Sequence, residues 1–177
     1  MATALLVIDV QQALSCGEYE CFDIARVINT INDLSARVRK AGLPVVLIQH
    51  EEEGGPFTHQ TPGWQLAEGL QTAAGDLRVR KTTGDSFYQT NLQKLLPAQD
   101  FERLIICGLQ TDYCVNATVR QALKLGYDVV LAADAHSTMD NGTLTAEDII
   151  AEHNKDLAHL TGSVARIDVI PAQDIHF

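Results

Sequence analysis

Apolar and polar positions follow two alternating rhythms along this chain. Short apolar runs at Ala4–Val10, Pro44–Gln49, Leu104–Cys107, Asp128–Ala133 and Ala165–Ile170, with a shorter one at Leu77–Lys81, read as β-strands. Between them the apolar positions recur at helical spacing. Ile24, Ile28, Ile31, Leu34 and Val38 mark one face of a long helix, and Gly42 stands where a terminating glycine belongs. Further helices are expected near Asn91–Leu96, Cys114–Leu125 (closed by Gly126) and Ala146–Leu160, and the Gly- and Pro-containing stretch from His50 to Gly63 reads as loop. Strands that are apolar throughout, separated by helices, bury both faces, so the expected class is α/β with a parallel sheet covered on each side. No repeat, low-complexity tract or linker interrupts the pattern, and 177 residues suit a single domain spanning 1–177.

Composition narrows the functional classes. Thirteen Lys and Arg against 23 Asp and Glu give a net charge of −10. No basic stripe exists to neutralise phosphates, so a nucleic-acid partner is not expected. No apolar run approaches bilayer length, so no membrane partner is expected either. The N-terminal MATALLVIDV lacks a basic leader and reads as a first strand. Cys16, Cys21, Cys107 and Cys114 are therefore expected as thiols of a cytoplasmic protein, and without a C-x-x-C pair they do not suggest structural zinc.

Three residues stand where chemistry is usual. In parallel α/β sheets ligands bind at the carboxyl ends of the strands. Asp9 ends the first strand, Lys81 the third, and Cys114 follows the fourth in LIICGLQTDYCVNA, where a helix begins. A helix N-terminus favours a thiolate and lowers its pKa, and its free N–H groups suit an oxyanion. Each residue also has a bland reading. Cys114 serves equally as a small buried packing residue, Asp9 as a strand-end acid and Lys81 as a solvated cation. Together they put a nucleophile, an acid/base and a cation on one sheet edge. The first turn, VIDVQQALSCG, has no glycine-rich phosphate loop, which argues against a dinucleotide-binding or flavodoxin-like protein.

The sequence resembles the isochorismatase-like cysteine hydrolases, which include nicotinamidases, carbamoylsarcosine amidohydrolases and streptothricin hydrolases. The carriers are ALLVIDVQ at 4–11, KTTGDSFYQTNL at 81–92, IICGLQTDYCVNATVRQALKLGYDVVLAADA at 105–135 and AEHNKDLAHL at 151–160. The resemblance implies a three-layer α/β/α fold whose six-stranded parallel sheet runs 3-2-1-4-5-6. It also implies a catalytic triad of Asp9, Lys81 and Cys114, and a cis Leu109–Gln110 peptide that turns the Gln110 amide into an oxyanion hole with the Cys114 amide. The expectation that follows is hydrolysis of an amide-type C–N bond of a small molecule through a thioester, with no organic cofactor, by a chain that assembles as a dimer or tetramer as its relatives do.

Two departures stand out. Metal-binding relatives carry Asp-x-His after the second strand, where this chain reads IQHEEEGGPFTHQ; His50, Glu52 and His59 are the residues left to gather around zinc, and the expectation is no metal. TPGWQL near Trp64 resembles the metal-free branch. Ala13 and Leu14 stand where an aromatic is usual, which alters one pocket wall. Gln11, Trp64, Phe87, Tyr88 and Tyr113 are the candidate substrate contacts. Cys107 reads as core, Cys16 and Cys21 as exposed or semi-exposed, His136 as a satisfied surface histidine, and His153 and Asn154 as helix-packing or subunit-contact residues. Two rivals remain: vinyl ether hydrolysis of the isochorismate type, which uses no cysteine nucleophile, and a catalytically idle α/β assembly module.

Overall fold

A computed structural model of the chain describes residues 2–97, 100–160 and 165–177. The single-domain expectation over 1–177 includes residues 1, 98–99 and 161–164, which lie outside that description. The strands are β1 (Thr3–Ile8), β2 (Val45–His50), β3 (Leu77–Lys81), β4 (Arg103–Leu109), β5 (Asp128–Ser137) and β6 (Ile167–Ile170). The helices are α1 (Gln12–Ser15), α2 (Ile24–Lys40), α3 (Leu92–Leu95), α4 (Asn116–Lys124) and α5 (Ala146–Ala158). All strand pairings are parallel, and the sheet runs β3-β2-β1-β4-β5-β6.

Side-chain alternation along the strands builds two cores. Leu5 and Val7 of β1 pack with Val27, Ile31, Leu34 and Val38 of α2 on one face. Ala4, Leu6 and Ile8 pack with Val119 and Ala122 of α4, Tyr127 and Leu157 on the other. Every β1 residue is buried, which explains a strand without polar alternation. The sheet is thus covered on both sides, as expected. Helix α2 ends as its sequence suggests: Gly42 adopts φ +73°, its N–H donates to the Arg39 carbonyl, and Leu43 N–H reaches back to Val38.

The differences from the sequence reading cluster at the carboxyl edge. Strand β1 stops at Ile8, because Asp9 turns into the left-handed region at φ +51° and Gln11 N–H donates to the Asp9 carbonyl. Strand β4 runs past Cys107 to Leu109, so Gly108 is a strand residue paired with Ile8. Its φ is +116°, and a Cβ there would lie 2.1 Å from the Ile8 carbonyl oxygen. Only glycine lets β1 and β4 approach so closely. The helix after β4 begins at Asn116, because Thr111–Val115 first forms one wider, π-type turn. Such turns recur at functional sites, since they push a side chain out of helical register. Strand β5 extends to Ser137 past an irregularity opposite Ile106–Gly108.

Candidate active site

Three chain segments converge above the carboxyl ends of β1, β3 and β4. Lys81, at the end of β3, is buried, and its ammonium lies 2.7 Å from Asp9 Oδ2, 3.2 Å from Cys114 Sγ and 3.0 Å from the Thr83 carbonyl. An ammonium carries three N–H donors, and these three partners account for all of them. The ion pair is sealed, with side-chain exposures of 0% for Lys81 and 2% for Asp9. Asp9 Oδ1, also buried, has no hydrogen-bond partner among the described residues. The cluster therefore holds one carboxylate oxygen on the ammonium and keeps the other as an open acceptor.

Charge and burial set the protonation states. Burial alone would depress the Lys81 ammonium, but the Asp9 charge and then Cys114 outweigh it and raise its pKa above the usual lysine value. Burial pushes the Cys114 thiol up to about 12; the Asp9 charge adds to this and the Lys81 charge opposes it. The thiolate-favouring effect expected of a helix N-terminus is thus overridden, by burial first and by the Asp9 carboxylate second. The resting arrangement at neutral pH is ammonium and neutral thiol.

The turn that carries the thiol follows a cis Leu109–Gln110 peptide. The Gln110 carbonyl accepts from the N–H groups of Tyr113 and Val115, which folds the turn onto itself. Beside it a cavity of about 530 Å³ is lined by Gln110, Asp112 and Tyr113 of the turn, by Glu52 and Phe57 of the loop after β2, and by Asp140. A more open cavity of about 650 Å³ lies across the Glu52 loop, against Glu51, Glu53, His59 and Thr82. The smaller one shares the thiol-bearing turn and is the better candidate for a substrate pocket.

Several expected contacts have other occupations. Gln11 is wholly buried: its Oε1 accepts from His50 N–H (2.8 Å), and its Nε2 donates to the His50 carbonyl (2.9 Å) and the Trp64 carbonyl (2.9 Å). It pins β1, β2 and the following loop together, with no polar atom left for substrate. Phe87 is in the core, stacked on Tyr127 at 5.7 Å between ring centroids, and is no pocket wall. Tyr88 is exposed and lines neither cavity, whereas Tyr113 lines the smaller one. Trp64 is half-buried, edge-on to His59 at 4.6 Å.

His50, Glu52 and His59 are not brought together: no metal-holding group of three or more His, Cys, Asp or Glu occurs among the described residues. The His50 ring packs edge-on against Phe57, its Nδ1 buried without a partner among the described residues, and burial followed by the nearby Lys81 charge lowers its pKa. The Glu52 carboxylate folds over Gly55, where a Cβ would meet its Oε1 at 1.9 Å.

Cys107 is core, as expected. Cys16 is exposed, but Cys21 is buried in the α2-side core, because Cys21 N–H binds the Leu14 carbonyl and draws the segment inward. Burial pushes its thiol up to about 12, opposed by a hydrogen bond to the Gln110 side chain. His136 is buried, not superficial, and bonds to Thr111 and Asn154. The Thr83 carbonyl was not legible in sequence, since a backbone group has no residue signature.

Comparison with known proteins bears on the family and the fold. The isochorismatase domain family matches residues 3–165. Streptothricin hydrolase of Streptomyces noursei is 42% identical over 138 residues, 77% of this chain and 50% of the relative. This chain thus spans about half the length of that protein. Ureidoacrylate amidohydrolase RutB of Pseudomonas savastanoi pv. phaseolicola is 31% identical over 170 residues, 75% of this chain and 69% of the relative. A crystal structure of an isochorismatase family protein superposes with a TM-score of 0.84 at 36% identity, covering 94% of this chain and 97% of its own. The chain belongs to the isochorismatase family, whose members here include hydrolases and amidohydrolases. Among the described residues, no helix is long and apolar enough to cross a membrane.

Proposed function

We propose that this protein is a cysteine hydrolase that cleaves an amide-type C–N bond of a small molecule through a thioester on Cys114. The observation that carries the reading is the buried Lys81 ammonium, bonded at once to the Asp9 carboxylate and the Cys114 sulfur. A thiol held near 12 is a poor nucleophile until a base removes its proton, and Asp9 is the base at hand. As the sulfur attacks the carbonyl, its proton passes to Asp9, an S–C bond forms and negative charge moves to the substrate oxygen. Gln110 and Cys114 N–H groups receive that oxyanion. Collapse breaks the C–N bond, and Asp9 returns the proton to the leaving nitrogen. Water then attacks the thioester, Asp9 takes its proton, and the acid departs as the proton passes back to sulfur. Lys81 stays charged throughout and steadies first the carboxylate and then the developing thiolate.

The cavity walls favour an amide over isochorismate. Glu52, Asp112 and Asp140 line it with no Lys or Arg among the lining residues, and isochorismate carries two carboxylates. The hydrolase names of the relatives support the same class. The test is a panel of nicotinamide, carbamoyl-amines, ureido acids and lactams, read by ammonia or acid release, with mass spectrometry of the quenched enzyme. An acyl adduct on Cys114 is expected. Equal turnover by Cys114→Ala would defeat the reading.

A further inference from the structure

One buried titratable side chain takes no part in this mechanism, yet it touches the turn on which the mechanism depends. Thr111 opens the Thr111–Val115 turn, and its hydroxyl lies 2.8 Å from Nδ1 of His136 on β5. Nε2 of the same ring lies 2.9 Å from Asn154 Oδ1 on α5, and Asn154 Nδ2 donates to the Ala133 carbonyl at 3.0 Å. Thr111 and His136 are each 1% exposed.

The direction of these bonds follows from the donor inventory. Asn154 spends its N–H on a carbonyl, so the oxygen it turns to His136 is an acceptor. The ring proton is therefore on Nε2. In a neutral ring Nδ1 is then the acceptor and the Thr111 hydroxyl its donor; a second ring proton would only reverse that bond, since a hydroxyl also accepts. Burial supplies that neutrality, lowering the His136 pKa to about 4; the Asn154 bond and Asp134 oppose this, and His153 adds to it. The Gln110 side chain does not cap the turn; a further side-chain tether is Asp112, accepting from the Thr138 hydroxyl at 2.6 Å.

We infer that His136 is a positioning residue: as a bridge held by Asn154 it clamps Thr111 to α5 and so sets the turn that follows Gln110 and holds the Cys114 thiol against Lys81. The clamp makes the thiol's placement depend on α5, an element with no residue in the proposed triad. For its kinetic readout the inference rests on the proposed hydrolase function; a labelling readout does not.

The decisive variants are Thr111→Val, which keeps shape and removes the hydroxyl, and Thr111→Ser, which keeps the hydroxyl. Thr111→Val should lower kcat tenfold or more with KM within twofold, and change the iodoacetamide labelling rate of Cys114 at least fivefold. Thr111→Ser should restore both to within twofold of the parent. His136→Ala should reproduce the Thr111→Val defect, and the double variant should be no worse than either single one. Additive losses overturn the clamp, as does parental labelling in Thr111→Val. Ser behaving like Val would also overturn it, because lost packing would then be the cause. Where His136→Ala does not fold, the Thr111 pair still decides. If no amide in the panel is hydrolysed, the functional proposal fails, and the labelling rates alone judge the clamp.

Discussion

Cys107 and Cys114 belong to one strand-to-turn segment, yet the structure gives them opposite prospects. Cys107 faces the α2-side core, wholly buried, its sulfur 3.5 Å from the Leu6 carbonyl, and burial alone drives its pKa far above the usual thiol range. Cys114 is half-buried and also raised, to about 12, but after burial the Asp9 and Lys81 charges act on it in opposite senses. Both thiols are protonated at neutral pH, so the protonation state does not separate the inert cysteine from the candidate nucleophile. The neighbours do. A neutral thiol in a hydrocarbon wall has nowhere to send its proton, whereas one beside a carboxylate with an open oxygen has an acceptor and a cation to stabilise the product charge.

The sharpest break of this comparison is Cys114→Ala. Turnover should fall by about four orders of magnitude or more, as expected when a covalent nucleophile is removed. Stability should change by about 1 kcal/mol or less, since the side chain is small and only half-buried. Steady-state kinetics and a thermal melt read the two effects separately. Next comes the charge pair. Asp9→Asn should cost about 10²- to 10⁴-fold in kcat by removing the base, and about 3–5 kcal/mol in stability by leaving Lys81 buried and unpaired. Adding Lys81→Met should recover much of that stability and none of the activity, as seen by urea denaturation beside an assay. If the double variant stays as unstable as the single one, the sealed ion pair is not the source of the loss.

The two cysteines also show how far sequence reached. The strands, helix faces and the core role of Cys107 were legible because apolar periodicity reports burial directly, whereas the strand order came only with the family resemblance. Asp9 was legible because it ends an apolar run, and Lys81 and Cys114 because they fall at or just past the carboxyl ends of other strands of the same sheet. Their distances were not, since Lys81 must cross the end of β2 to meet Asp9, and no local pattern encodes that reach. Gln11 and Phe87 were misread because residues beside a catalytic motif can be committed to backbone pinning or core stacking. His136 was misread for a related reason: its partners, Thr111 and Asn154, are distant in sequence, and only the fold closes the bridge. The thiol's raised pKa escaped because its causes, burial and then the Asp9 charge, exist only once the fold is formed.

A pH titration of stability sharpens the comparison further. The unfolded thiols titrate near 9.0, whereas Cys21 and Cys114 are held near 12 in the folded chain and Cys107 is held higher still. Between these values the unfolded state releases protons that the folded state keeps, so stability must fall as pH rises above 9 and is fully present below it. Each thiol contributes a slope of about 1.4 kcal/mol per pH unit. Denaturation midpoints from pH 8 to 11 should therefore drop steeply, and Cys114→Ala should flatten the drop by one thiol's share. Iodoacetamide labelling of Cys114 should rise through the same range without a plateau near 9. A plateau there would mean that the thiol is not held up by its surroundings.

The smallest effect is expected at Cys107. Replacing it with Ala deletes one buried sulfur from the α2-side core and opens a small void, at a cost of about 1–2 kcal/mol by analogy with other small core truncations. The position is closed to solvent and paired in register with Val7, so nothing in the change reaches the Asp9–Lys81–Cys114 cluster directly. Turnover should stay within twofold of the parent and the iodoacetamide rate at Cys114 should be unchanged, while the denaturation midpoint shifts down. Gly108 makes this a demanding expectation. It follows Cys107 in β4 and packs against the Ile8 backbone with no room for a Cβ, immediately before the peptide that leads into the thiol's turn. Should the void let β4 slide toward β1, the turn would move with it, and kcat would fall together with stability. Parental turnover at reduced stability would show that the rigid Gly108 contact isolates the active turn from packing one residue away.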